Sequence, residues 1–444
     1  MSNSSSKTFC PWPWMYQAVR NNGDIRVCCQ ANQSASQGLA KKADGTNFNA
    51  ATDSMLEARN APLMKEIRKD MLAGKWNPSC IRCKTEESTG LRSGRQHANL
   101  AWSNIKIDDV RNATSEDGTI DTDTLPVISY DLRFGNLCNL ACRMCGPADS
   151  HMWYEEWTKY NKQESFTDTH GVVKLHRNAS NRLVTTDYDW HNSLKFWQQI
   201  ESQLGNIQHV YMAGGEPLLI ERHYEFLNLC INRDMAKNII LEYNTNGTNF
   251  STKVLNIWKN FKEVRLGISV DGIKEVVEYQ RWPVKWEQLH ANLQKINQLA
   301  HIHSNIKYWL TVTVTAYNAK HIADMTEWIV LDSGLDKMTT SIMSMHVAHR
   351  PLNTNVKLLP KHVKQEISDR YATSINTLKI AKVNDALINK AQTLYDGITT
   401  YMNSADMSAH MPEFISYTKF LDAERNQNIL DIMPSLHPYF KAST

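Results

Sequence analysis

Short apolar segments alternate with amphipathic segments from Pro126 onward, and this alternation strongly restricts the fold. The apolar segments predict six strands, at residues 127–134, 209–212, 239–243, 264–270, 308–314 and 338–343. Between them, the spacing of apolar residues predicts helices at residues 194–204, 221–232, 252–261 and 286–301. Repeated strand–helix units form parallel sheets with right-handed crossovers. We therefore expect an α/β fold, a partial (β/α)6 barrel of the TIM type over residues 126–345, with its chemistry at the carboxyl ends of the strands.

The regions outside this predicted barrel differ in composition. Residues 1–100 hold five of the nine cysteines and predict a loop-rich auxiliary domain, followed by an acidic linker at 101–125. An insert at about 152–189 is polar and rich in Trp and Tyr, which is typical of a lid or a substrate-facing segment. Residues 346–444 predict a mostly helical C-terminal extension.

The bulk composition excludes several classes of protein. A hydrophobic content of 42% and a net charge of +3 describe an ordinary globular chain and disfavour one that coats nucleic acid. No apolar run is long enough for a membrane span, and residues 1–8 lack the apolar core of a signal peptide. Nine cysteines in such a chain favour the cytoplasm and metal or catalytic use over disulfides.

Three cysteines follow the first predicted strand directly. Cys138, Cys142 and Cys145 have the spacing Cys-x3-Cys-x2-Cys. Three thiolates on one loop can hold three corners of a [4Fe–4S] cluster, whereas complete ligation takes four cysteines. One iron atom is then open to another ligand. The alternative is a zinc loop, although zinc sites usually take four ligands, often as two closely spaced pairs.

Further polar motifs fall at the ends of the next three predicted strands. Gly214-Gly215-Glu216 follows the second, and its glycines allow close approach to the backbone, although a plain turn is the alternative. Asn246 follows the third strand in a sequence that is also a common Asn-Gly turn. The fourth ends in Gly-Ile-Ser-Val-Asp-Gly, where Ser269 and Asp271 could bind hydroxyl groups, or Asp271 could cap the next helix. Thr313 and Thr315 on the fifth strand are weaker candidates.

Together these motifs resemble the radical S-adenosylmethionine (SAM) enzyme superfamily. The resemblance implies that the open iron binds the amino and carboxylate groups of SAM, and that an electron from the cluster releases methionine and a 5′-deoxyadenosyl radical. It implies that Gly214, Gly215 and Glu216 meet the methionyl amino group. It also implies that Asn246 faces the cofactor, that Ser269 and Asp271 contact the ribose, and that Met144 lies near the adenine, where much of the family has an aromatic residue. Residues 420–428 resemble the closing segment of many relatives.

A second set of cysteines resembles the auxiliary-cluster pattern of twitch and SPASM domains. Those domains normally follow the barrel, whereas here the pattern precedes it. The resemblance implies a second [4Fe–4S] cluster whose ligands are Cys10, Cys28, Cys80 and Cys83, with Cys29 as a possible substitute for Cys28. A four-cysteine zinc site is the alternative. Cys230 lies in a predicted helix among apolar residues and is expected to be a buried apolar side chain.

The resemblance implies abstraction of a hydrogen atom from a peptide or protein side chain, as in the modification of ribosomally made peptides. Flavodoxin or ferredoxin would be the electron donor. A radical enzyme that acts on a small metabolite or on RNA is an alternative, and a non-catalytic iron–sulfur or zinc protein is a second. The basic residues available for RNA are scattered: Arg92, Arg95, Lys106 and Arg111. No catalytic residue beyond the cluster can be assigned, although His346 and His349 follow the sixth predicted strand and could face a substrate.

Overall fold

The computed structural model describes residues 7–31, 38–88 and 92–440. The chain divides into two compact units. Unit 1 consists of Met1–Leu137, Ser165–Glu242 and Asn260–Lys262, and unit 2 consists of Cys138–Glu164, Tyr243–Lys259 and Glu263–Thr444. In the part of the chain that is described, no helix combines the length and apolar character needed to cross a bilayer.

The structure is a mixed α/β fold with parallel strands. In chain order the strands are β1 (Tyr16–Val19), β2 (Ile25–Arg26), β3 (Ser129–Arg133), β4 (Ser165–Asp168), β5 (Gly171–Lys174), β6 (His176–Arg177), β7 (Leu183–Val184), β8 (His209–Ala213), β9 (Ile240–Thr245), β10 (Glu263–Ser269), β11 (Ile306–Val314) and β12 (Ser344–Val347). Strands β1 to β8 belong to unit 1 and β10 to β12 belong to unit 2, while β9 begins in unit 1 and ends in unit 2.

Each unit contains its own run of parallel strands. In unit 1 the order is β2-β1-β3-β8, where β1, β3 and β8 are parallel and β2 is antiparallel to β1. Two small antiparallel pairs, β4 with β5 and β6 with β7, come from the predicted insert. In unit 2, β10, β11 and β12 are parallel, and Thr311 pairs with Ser269 on one side and Ser344 on the other.

Helices connect the strands and build the C-terminal part of unit 2. In chain order they are α1 (Trp12–Met15), α2 (Met55–Ala58), α3 (Pro62–Leu72), α4 (Ile81–Ser88), α5 (Gly94–Ala101), α6 (Ile107–Asn112), α7 (Tyr154–Asn161), α8 (Leu194–Gln203), α9 (Glu221–Asn232), α10 (Thr252–Trp258), α11 (Glu275–Gln280), α12 (Trp286–Ile302), α13 (Ile322–Glu327), α14 (Lys361–Ile380), α15 (Asp385–Asn403), α16 (Met411–Arg425), α17 (Ile429–Ile432) and α18 (His437–Phe440). Helices α7 and α10 to α18 belong to unit 2.

Side-chain alternation explains how β3 is covered. Tyr130 and Leu132 are buried, and the next residue on that face, Phe134, packs on Trp190 and Phe196 with ring centroids 5.6 and 6.3 Å apart. The opposite face carries polar side chains, because successive residues of a strand point to opposite sides. These polar residues are Ser129, Asp131 and Arg133.

Five of the six predicted strands are confirmed, with ends that differ by a few residues. The sixth is wrong in position: Met338 makes only an isolated bridge to Tyr308, and the strand is Ser344–Val347. Strand β1 was missed because all four of its residues are buried, so it shows no alternation. The region predicted to be loop-rich contains α1 to α5, and the acidic linker contains α6. The domain boundaries remain predictions.

Candidate functional site

The three-cysteine loop lies in unit 2 and is fixed through its backbone. Ala141 N–H donates to Trp282 O at 2.8 Å, and Arg143 N–H donates to Gln280 O at 2.8 Å. The Cys145 N–H donates to Cys142 O at 2.9 Å, which closes a turn between these two cysteines. The loop is therefore held at a defined distance from the chain segment that follows α11.

Arg143 anchors this loop to the C-terminal helices of unit 2. The side chain is fully buried, and its guanidinium lies 3.7 Å above the ring of Tyr279. Its Nη2 donates to Asp422 Oδ1 at 2.6 Å and to Gln427 Oε1 at 3.0 Å. The segment that resembles the family's closing segment thus contacts the residue between two of the cysteines.

A second buried arginine holds the segment that follows the loop. Arg425 donates to both carboxylate oxygens of Glu156, at 2.9 and 2.6 Å, and lies 4.9 Å from the ring centroid of Trp153. Trp153 stacks on Tyr417 with centroids 6.0 Å apart, and its Nε1–H donates to Cys142 O at 3.2 Å. Helix α16 therefore contributes to the shape of the cysteine loop.

The thiols themselves have polar neighbours within unit 2. Asn246 Nδ2 lies 3.8 Å from Cys138 Sγ, and it also donates to Asn139 Oδ1 at 2.8 Å. A hydrogen bond with Cys145 lowers the pKa of Cys142 and raises the pKa of Cys145 well above its usual value. A predicted cofactor contact, Asn246, thus also orients the first cysteine.

Asp271 is less accessible than its predicted ribose contact requires. Its carboxylate is fully buried, Oδ1 accepts the N–H of Thr313 at 2.7 Å, and Oδ2 lies 2.6 Å from Arg281 Nε. It does not cap the next helix, because the N-cap position of α11 is Lys274. Ser269, by contrast, is half-buried at the end of β10, where it could meet a hydroxyl group.

The Gly-Gly-Glu turn belongs to unit 1 and contacts the residues just before the first cysteine. Gly215 N–H donates to Gly135 O at 3.1 Å, and Glu216 N–H donates to Leu137 O at 2.7 Å. A Cβ atom on Gly215 would lie 2.2 Å from Leu137 O, so only glycine fits. Glu216 is buried, and its Oε1 accepts the N–H of Leu218 at 3.2 Å. Gly214 has a φ of 122°, which side chains rarely adopt.

Four cysteines of the second set line one cavity in unit 1. It measures about 410 Å³ including the solvent at its mouth, and its lining includes Cys10, Cys28, Cys80 and Cys83. Cys29 does not line it. The pKa of Cys29 is raised by burial and then by Asp131, and its thiol has a hydrogen bond with Tyr16. The two adjacent cysteines therefore have different neighbours.

The thiols that line this cavity are largely buried. Burial raises the pKa of Cys80 to about 12 and raises those of Cys10 and Cys28 well above their usual range. The pKa of Cys83 is also raised by burial, although hydrogen bonds from the Arg95 backbone and the Ser93 side chain oppose the shift. Deprotonation in this cavity is therefore favoured only when positive charge, such as that of a metal centre, compensates it.

Arg95 is unavailable for phosphate contacts. Its guanidinium pairs with Glu87 at 2.6 Å, donates to Phe9 O at 2.9 Å and is only 13% exposed. Arg92, Lys106 and Arg111 are exposed, which is typical of basic residues on a solvated surface. The one member of this basic group that the fold buries is thus a structural residue.

The remaining predicted residues lie in varied surroundings. Thr315 is fully buried and bonded to Gln280, while Thr313 and Met144 are partly buried. His346 lies on β12 and is exposed, and exposed His349 contacts the hydroxyl of Tyr401 at 3.1 Å. Cys230 is fully buried in α9, as expected.

Both cysteine sets are suited to iron–sulfur ligation by the chemistry of their donors. All nine cysteines are free thiols, and each set gathers buried or partly buried sulfurs in one unit. Within the described ranges, no three His, Cys, Asp or Glu side chains converge as ligands of a single metal ion.

Sequence reasoning missed Arg143, Arg281 and Arg425. Arg143 was visible as the one charged residue of the cysteine loop, since Cys142 and Cys145 flank it closely. No sequence signal marked the other two, because only tertiary structure brings Arg281 to Cys142 and Arg425 to Glu156.

Residues 132–329 match the Radical SAM superfamily, a segment shorter than half of the chain. No curated protein gives a significant match.

The solved structures include partial matches. One is anSMEcpe with bound AdoMet and a Cp18Cys peptide, at 15% identity and a TM-score of 0.34, covering 57% of this chain and 61% of that one. Another is Streptococcus suis SuiB bound to the precursor peptide SuiA, at 11% identity and a TM-score of 0.34, covering 83% of this chain and 71% of that one.

Proposed function

We propose that this protein is a radical SAM enzyme that holds a [4Fe–4S] cluster with Cys138, Cys142 and Cys145. The observation that carries the proposal is that these free thiols lie on one anchored loop within the segment that matches the Radical SAM superfamily. When bound, the cluster and SAM would supply a 5′-deoxyadenosyl radical that abstracts a hydrogen atom from the substrate.

The chain's own residues would bind and orient SAM. Gly214, Gly215 and Glu216 would meet its methionyl amino group, because a buried carboxylate favours an ammonium partner and Gly215 leaves no side chain in the way. Ser269 would contact the ribose and Met144 would lie near the adenine. Asn246 would support the side of the cysteine loop that faces the cofactor, because its side chain donates a hydrogen bond to Asn139, the residue after the first cysteine.

Asp271 acts indirectly in this proposal. Since its oxygens lie against the Thr313 N–H and Arg281, we assign it to orienting that arginine rather than to binding ribose.

We further propose an auxiliary [4Fe–4S] cluster bound by Cys10, Cys28, Cys80 and Cys83. All four side chains line one cavity, which supports this ligand set over one that contains Cys29. The resemblance to twitch or SPASM domains rests on the cysteine pattern, and an N-terminal position of such a domain is part of the proposal. The partial-barrel architecture and the domain boundaries near residues 100, 125 and 345 are also part of the proposal.

The proposed substrate is a peptide or a protein side chain, with a small flavodoxin or ferredoxin as electron donor. This substrate class rests on the resemblance of the second cysteine set to auxiliary domains. A reducing compartment, the cytoplasm, is supported by the nine free thiols.

The test is anaerobic reconstitution of the full chain with iron and sulfide. About eight irons per chain are expected if both clusters form and about four if only one does. With dithionite and SAM, the wild type should produce 5′-deoxyadenosine, and Cys142→Ala should abolish it. Cys230→Ala is the control, because that thiol is buried in α9 and belongs to neither predicted ligand set. Zinc in place of iron, or unchanged 5′-deoxyadenosine production in Cys142→Ala, would contradict the proposal.

The second cluster has a separate test. Cys83→Ala should bind about four irons and keep uncoupled cleavage of SAM while losing product formation. A wild-type iron content in this variant would contradict the auxiliary ligand set.

A further inference from the structure

Arg281 lies against the second cysteine of the loop in unit 2. It directly follows α11, and its side chain is 10% exposed. One end of the guanidinium, Nη1, is 3.8 Å from Cys142 Sγ. The other side, Nε, is 2.6 Å from the fully buried carboxylate of Asp271. A fixed positive charge therefore lies beside one predicted ligand sulfur, that of Cys142.

The surrounding contacts make this position rigid. The residues on both sides of Arg281 accept backbone hydrogen bonds from the cysteine loop, at Gln280 O and Trp282 O. Asp271 is fixed in turn, because its Oδ1 accepts the Thr313 N–H and its main-chain O accepts from Asn318 Nδ2 at 2.8 Å. The guanidinium is thus held beside the sulfur by contacts within unit 2.

We infer that Arg281 raises the reduction potential of the cluster held by Cys138, Cys142 and Cys145, and that Asp271 moderates this effect. The inference rests on the proposed function. Reduction adds a negative charge to the cluster, and a nearby cation with N–H groups directed at a ligand sulfur stabilises the reduced form. Net charge and hydrogen bonds to the sulfurs are the features through which proteins set such potentials. Arg281 is a positioning and electrostatic residue here, and its role requires no contact with SAM.

The experiment is a potentiometric titration of the reconstituted full chain, followed by EPR in the absence of SAM. The signal of this cluster is identified as the one lost in Cys142→Ala. At a fixed ambient potential, Arg281→Gln should lower the ratio of reduced to oxidised cluster at least tenfold, which corresponds to about 59 mV for one electron. Arg281→Lys, which retains the charge, should recover part of that shift.

Asp271→Asn provides a perturbation of opposite sign. It removes the buried negative charge, so the ratio of reduced to oxidised cluster should rise. This variant decides the question even if Arg281→Gln binds no iron, because it changes the charge next to the guanidinium and leaves Arg281 itself in place. Arg370→Gln is the matched control: this arginine of unit 2 pairs with Asp324 and Glu327 and should leave the midpoint unchanged.

The inference is overturned if Arg281→Gln binds a full complement of iron and keeps the wild-type midpoint potential. It is also overturned if Asp271→Asn lowers the ratio of reduced to oxidised cluster. The same shift in Arg370→Gln would also overturn it. Failure of the proposed function looks different, because the wild type would then bind no cluster that depends on Cys142.

Discussion

Replacing Arg143 with methionine tests whether the C-terminal helices hold the cysteine loop. The guanidinium is fully buried. Its contacts include an ion pair with Asp422, hydrogen bonds to Gln427 Oε1 at 3.0 Å and from Nε to Tyr279 O at 2.9 Å, and the stack on the Tyr279 ring. Methionine fills much of the same volume, so the cavity it leaves is small. The expected loss of stability therefore comes from the polar contacts.

The size of this loss of stability can be worked out from the contacts of Arg143 and Asp422. Breaking a buried ion pair by removing one partner costs about 3–5 kcal/mol, because the remaining charge is left in the interior. Asp422 keeps two other donors, the Tyr279 hydroxyl at 2.7 Å and the Ile429 N–H at 2.8 Å. We therefore expect a loss near the lower end, about 3 kcal/mol. Since a typical domain is stable by about 5–15 kcal/mol, this is a large fraction.

Urea unfolding of the full chain measures the loss, together with its iron content after reconstitution. Lys159→Met is the matched control, because Lys159 pairs with Glu424 between α7 and α16 of the same unit but is 59% exposed. Exposed pairs contribute about 0–1 kcal/mol. Adding Asp422→Asn to Arg143→Met should cost less than the sum of the single changes, since the two side chains are in contact. If Arg143→Met is no less stable than Lys159→Met, the anchoring role is wrong.

Three further predictions follow from unit 1. Gly215→Ala should lower the affinity for SAM at least tenfold in equilibrium dialysis and keep the iron content, because the added Cβ would lie 2.2 Å from Leu137 O. An unchanged affinity would contradict the proposed close approach of SAM to the Gly215 backbone. Cys29→Ala should keep about eight irons per chain whereas Cys28→Ala should keep about four, and equal iron contents would refute the choice between them. Burial lowers the pKa of His191 to about 4 from its ordinary 6.5, so the unfolded chain binds a proton as the pH falls below 6.5 while the folded chain does not. The free energy of unfolding should therefore fall by about 2 kcal/mol between pH 7 and pH 5 through this group. The urea midpoint of His191→Gln should depend correspondingly less on pH than that of the wild type. An equal pH dependence in the two proteins would show that His191 is not buried as a neutral ring.

The parallel strands and the cysteine loop could be predicted because their signals are local. Apolar runs bounded by polar segments mark strands, and a fixed spacing of cysteines needs no knowledge of the rest of the chain. The sixth strand was misplaced because residues 338–343 are as apolar as residues 344–347, and only pairing with β11 distinguishes them. Strand β1 has no alternation and is recognisable only through its pairing with β3.

Some residue roles could likewise be predicted from the sequence, whereas others depend on the tertiary structure. Sequence motifs indicated Gly215 and the three cysteines, since conformational freedom and metal affinity are properties of the residue types themselves. Tertiary structure alone determined that the Asp271 carboxylate is buried against Arg281. It also distinguished Cys28 from Cys29, which are neighbours in the chain and face different surroundings.

The sequence by itself determined that this chain has parallel strands, a loop with three metal-binding thiols and a second group of cysteines. The tertiary structure decided which charge lies beside those thiols, namely Arg281 at Cys142. The physical reason is that a thiol's affinity for metal is a property of its own side chain, whereas the electric field at its sulfur depends on charges contributed by distant segments once burial has removed the water between them.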